Sequence, residues 1–134
     1  MGSETLPKQF IFNAKMDKEA LYSLYTDDYA YIEEIFGTVL EHYDADFSAV
    51  QLAFEHENLE DLKKAVHKMK PVFGYTGLLE CQQHCKLFED QCATATSFTS
   101  ITEPYTYIKN ELLEARDIIQ DEYTRLKAFN ANPL

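Results

Sequence analysis

A chain of 134 residues is about one domain in size, and its 46% hydrophobic and 13% aromatic content supports a core and excludes a disordered polymer. The net charge of −11, from 23 acidic and 12 basic residues, opposes binding to nucleic acid or to an anionic membrane surface, since both are polyanions. No apolar run approaches the roughly 20 residues that cross a bilayer, and the polar start Met-Gly-Ser-Glu-Thr lacks the apolar stretch of a signal peptide, so a cytoplasmic protein is expected.

Four glycines and four prolines are few for a sheet protein with many tight turns, while apolar stripes at helical spacing recur from Asp17 to Lys127. Residues 1–16 read as an arm with little periodicity, which Phe10, Ile11 and Phe12 are able to anchor. Asp17 caps a short helix carrying Ala20, Leu21 and Leu24 that ends near Thr26. Thr26, Asp27 and Asp28 then open a long helix with the stripe Ile32, Ile35, Phe36, Val39, Leu40, Tyr43, Phe47, Val50 and Phe54, in which Gly37 and Asp44 to Asp46 are the places where it is able to bend or break. Asn58 is the N-cap of a third helix that ends near Gly77, and a fourth runs from about Leu78 to Thr94. A Ser/Thr-rich connection follows. Thr102-Glu103-Pro104 starts a last helix bearing Tyr107 or Ile108, Leu112, Ala115, Ile119, Tyr123 and Leu126. Short connections between long amphipathic helices predict an all-α, antiparallel up-and-down four-helix bundle with a short additional N-terminal helix, spanning residues 17–128 and followed by a tail over 129–134.

Cys81, Cys85 and Cys92 are an odd number in one segment, which argues for reduced thiols. With Leu78 and Phe88 they form a helical stripe, so they read as small core residues. The competing reading joins Cys81, His84 and Cys85 as metal ligands, but no second ligand pair with zinc spacing occurs, and no Glu-x-x-His motif marks a di-iron bundle. No metal or cofactor of its own is expected. A nucleophile elbow, a phosphate-cradling loop and a dinucleotide fingerprint are absent, which opposes an enzyme with its own nucleotide site.

Of the four histidines, His67 stands apart. Its helix carries Leu59, Leu62, Val66, Met69 and Phe73 at steps of three and four, so His67 points away from the core. Lys63, Lys64 and Lys70 lie four before, three before and three after it, within reach of the space in front of the imidazole. Cations there disfavour a further positive charge on the ring and attract an anion such as a phosphoryl group.

The run His67-Lys-Met-Lys70-Pro-Val-Phe-Gly74-Tyr-Thr-Gly77 resembles the signature of histidine-containing phosphotransfer (HPt) domains: a histidine, a lysine three later and a glycine ten later. Thr26-Asp27-Asp28 is similar to the family's helix start and Cys85-x-x-Phe88-Glu89 to its fourth-helix pattern, so the resemblance covers about residues 17–126. It implies that His67 accepts a phosphoryl group from an aspartyl phosphate of a response-regulator receiver domain and passes it to another, with Lys70 balancing phosphate charge. Lys63, Lys64 and Gly74 are candidates for partner docking, Gly74 because its missing side chain leaves room for an approaching active site. Magnesium is expected on the receiver. The implied chain is a monomeric phosphocarrier in a two-component phosphorelay, served by receivers and by a hybrid sensor histidine kinase. The alternative is a helical adaptor that binds a response regulator without being phosphorylated. One position departs from the commoner pattern: Pro71 follows the lysine, and its missing N–H predicts a kink or a lost hydrogen bond at the carbonyl of His67.

Overall fold

The computed structural model describes residues 8–132 and is helical throughout its ordered elements. Five α-helices follow one another: α1 (Lys18–Tyr25), α2 (Tyr29–Glu55), α3 (Leu59–Tyr75), α4 (Leu79–Thr94) and α5 (Thr102–Ala131), with a 3-10 turn at Phe98–Ile101 before the last. The helices α2 to α5 form an antiparallel up-and-down bundle in which α3 packs between α2 and α4, and α5 closes the ring against α4 and α2. The short α1 lies at one end, against α2.

The helix starts follow the expected capping chemistry. The side chains of Asp17, Asp28 and Asn58 accept from the backbone N–H of Ala20 (2.9 Å), Tyr31 (3.1 Å) and Asp61 (2.9 Å), each satisfying a donor that the first turn leaves unpaired. Helix α2 is continuous through Gly37 and through Asp44 to Asp46. Tyr43 and Phe47 on either side are buried, and the acids face outward, Asp44 to Arg116 of α5 (2.7 Å) and Asp46 to Lys68 of α3 (3.2 Å). Burying two aromatics outweighs the weak helix propensity of Gly and Asp.

The core follows most of the predicted stripes, but Leu24 is exposed and Ile35, Leu40, Phe54, Leu59 and Tyr123 are only partly buried. Ile32, Phe36, Val50, Leu62, Val66, Met69, Phe73, Leu112 and Ile119 are sealed, and all three cysteines are buried with them. The Cys81 thiol pKa is pushed up by its hydrogen bond with Cys85 and by burial, and burial pushes Cys92 up to about 11. In α5 the stripe passes through Ile108, while Tyr107 is exposed.

Both ends are tied in more firmly than expected. Of the three anchoring candidates in the arm, Phe10 is buried, Phe12 is half-buried, and Ile11 is exposed. Glu122, on the buried stripe of α5, accepts from the backbone N–H of Asn13 (2.9 Å) and pairs with Arg125, whose guanidinium also donates to the carbonyl of Ile11 (2.9 Å) and covers the Phe10 ring. Helix α5 extends to Ala131, so the segment assigned to a tail from 129 begins as helix. Its Phe129 meets Tyr29 and Phe10 edge-on. Residues 1–7 of the arm and 133–134 of the tail lie outside the described residues.

Candidate functional site

Helices α3 and α4 form a hairpin around Thr76, Gly77 and Leu78, and its register decides which residues meet. Gly77 adopts φ = 74°, a left-handed conformation that suits a residue without Cβ, and its carbonyl accepts from the N–H of Asp17 (2.8 Å). In an antiparallel pair joined this tightly, residues equidistant from the turn face one another. His67 and Glu89 each lie eleven residues from Leu78, and Gly74 and Gln82 each lie four. Both pairs are in contact.

His67 is 66% exposed, while Glu89, on the buried face of α4, is only 7% exposed. Their side chains meet with Nδ1 2.6 Å from Oε1. Lys70 brings its Nζ to 2.9 Å from the other carboxylate oxygen, an ion pair without the alignment of a directed hydrogen bond. Burial pushes the Glu89 pKa up, but the Lys70 and His67 contacts together outweigh it and hold the carboxyl below its ordinary value. An ionised carboxylate only accepts, so Nδ1 carries a proton toward Glu89, and in the neutral ring the lone pair lies on Nε2.

The nearest charge to the imidazole is therefore a carboxylate, where lysines alone were expected. The lysines are distributed among several acids: Lys64 pairs with Glu60 on its own helix (3.8 Å), Lys68 with Asp46 of α2 (3.2 Å) and Lys70 with Glu89. Lys63 has no carboxylate within 4 Å among the described residues, and it shares with His67 a shallow hollow of about 550 Å³ whose other walls are Glu60, Lys64, Lys68 and Glu89. Gly74 does leave room, but Gln82 occupies it. A Cβ on Gly74 would stand 2.9 Å from the Gln82 amide nitrogen, which donates to the carbonyl of Lys70 (3.4 Å). The absent side chain serves the close packing of α3 on α4.

Helix α3 is continuous from Leu59 to Tyr75 with Pro71 inside it. The ring removes the N–H that would bond the His67 carbonyl, yet the helix does not break there. Met69 and Phe73, fully buried on either side of Pro71, hold the turn against the core. The alternative ligand set is divided: Cys81 and Cys85 face the core, and His84 puts Nδ1 2.7 Å from Glu111 of α5.

Glu89 is the member of this cluster that helical spacing around His67 does not reveal, although it lies in the Cys85-x-x-Phe88-Glu89 pattern. The available signal was an acid on an apolar stripe, between Phe88 and Cys92, at the hairpin position opposite His67.

No protein-family profile matches the chain, and no curated protein matches it in sequence. Among solved structures, the HPt domain of a sensor hybrid histidine kinase from Shewanella superposes with a TM-score of 0.70 at 13% identity, covering 83% of this chain and 95% of that one. The chain has the HPt fold. The likeness spans the bundle as a whole, which agrees with the length of the HPt resemblance seen in the sequence, and among the described residues no helix is long and apolar enough to cross a membrane.

Proposed function

We propose that the chain is a histidine phosphotransfer protein of a two-component phosphorelay, with His67 as the phosphorylated residue and receiver domains as its partners. The observation that carries this reading is the exposed imidazole whose Nδ1 is held 2.6 Å from the buried Glu89, which leaves Nε2 free as the nucleophile. In the transfer, the Nε2 lone pair attacks the phosphorus of a receiver's aspartyl phosphate. The N–P bond forms, the acyl phosphate P–O bond breaks, and the aspartate leaves as a carboxylate. As the ring gains positive character, the Nδ1–H···Glu89 hydrogen bond strengthens, so Glu89 stabilises the transition state through the nitrogen that does not react. Lys70 keeps that carboxylate ionised and contributes to the field felt by the phosphoryl oxygens.

On this reading the chain is a carrier, not an enzyme with its own cycle. The receiver supplies the magnesium, and the protein works as a monomer in the cytoplasm. Lys63, Lys64 and the surface near Gly74 belong to the face that a receiver would cover. The experiment is incubation with a phosphorylated receiver, followed by a test for acid-labile, base-stable label on wild type and on His67→Gln. Label on the wild type alone is expected. Equal labelling of both proteins would overturn the proposal, and receiver binding without any label would favour the adaptor reading.

A further inference from the structure

We infer that Lys63, one helical turn before His67, is the cation that meets the incoming phosphoryl group. This rests on the phosphotransfer reading above and assigns a role that the lysine three residues after the histidine does not fill alone. A phosphoryl group on His67 brings about two negative charges to the hollow that the residue lines. The charges already there largely cancel in pairs: Lys70 lies 2.9 Å from Glu89, Lys68 lies 3.2 Å from Asp46, and Lys64 lies 3.8 Å from Glu60. Lys63 is the lysine of α3 without such a pair among the described residues, and its side chain lines the same hollow as His67.

Position supports the assignment. Residues four apart on a helix are neighbours, with Cβ atoms about 5–6 Å apart. Helical side chains lean toward the N-terminus, which sets the His67 ring over the turn that carries Lys63. Lys63 is half-buried, so its stem is partly held by the surrounding surface beside the hollow that it lines. Lys70, by contrast, is directed at the far oxygen of Glu89, and its charge is offset before any phosphate arrives.

Phosphoramidate tests this without a protein partner, which separates phosphoryl contact from docking. Nε2 attacks its phosphorus, the N–P bond to His67 forms, the bond to the amine breaks, and ammonia leaves with the electron pair. Lys63→Gln is expected to slow labelling about tenfold, Lys63→Arg to restore most of the rate, and Lys86→Gln, an exposed lysine paired with Asp90 on α4, to leave it unchanged. Wild-type rates in Lys63→Gln, with label on His67, would overturn the assignment while leaving the phosphotransfer reading intact. Label on His67→Gln equal to that on wild type would overturn that reading itself.

Discussion

At the scale of single residues, the site is a buried acid holding an exposed base. Glu89 tolerates 7% exposure because two partners share its charge, and a carboxylate left alone there would take up a proton. The sign of its contribution to stability follows. The folded pKa lies below the ordinary value of 4.5, so the contribution is complete above that value and is lost as pH falls through the lowered folded pKa. The stability difference between wild type and Glu89→Gln, measured by urea unfolding, should therefore shrink as pH drops below 4.5. A difference that does not change with pH would refute the pairing. The outward direction of His67 and the nearness of Lys70 were legible from helical spacing. The hydrogen bond that selects Nε2 was not, because its two ends lie 22 residues apart and meet only through the hairpin register.

At the scale of elements, α3 combines a good start with an internal defect. Asn58 caps it and Glu60 and Asp61 complement its dipole, but Pro71 sits where each residue should donate to the fourth one back. Such a proline costs about 3 kcal/mol against alanine in a helix interior, reduced by the entropy it removes from the unfolded chain. Pro71→Ala is expected to stabilise the domain by about 2 kcal/mol, seen as a higher midpoint in thermal or urea unfolding; a lower midpoint would show that Pro71 is needed for packing. Proline has no N–H to give, so the His67 carbonyl lacks the donor four residues on. The helix runs on through Pro71, with Met69 and Phe73 buried on either side. Gly77 is the opposite case. Its φ of 74° and the Leu21 side chain 2.9 Å from where a Cβ would stand make Gly77→Ala destabilising by about 1–3 kcal/mol, and an unchanged unfolding midpoint would contradict that.

At the scale of the whole molecule, the bundle is held by four apolar stripes, and its N-terminal arm by Phe10, Phe12 and one polar cluster. Glu122 is 2% exposed and joins the arm at Asn13 to α5. Replacing it with Leu would leave the Asn13 N–H without its acceptor, and amide exchange there should become faster while the α3–α4 hairpin keeps its protection. Unchanged exchange at Asn13 would show that Phe10 and Phe12 alone hold the arm. This acid was missed for a physical reason: on a helical stripe it reads as an interruption of the apolar pattern, and its partner in the arm lies 109 residues away.

The amino-acid sequence by itself determined what is local and periodic. Helix number, caps, the core stripes, the outward direction of His67 and its run of lysines all follow from the 3.6-residue repeat and from side chains acting on their own helix. Only the tertiary structure decided what crosses between helices: Glu89 beneath the imidazole, Gln82 in the space beside Gly74, and the division of the lysines among Glu60, Asp46 and Glu89. That division depends on hairpin register and on which acids come within a few ångströms, and Coulomb interactions are decided at that distance rather than by position in the chain.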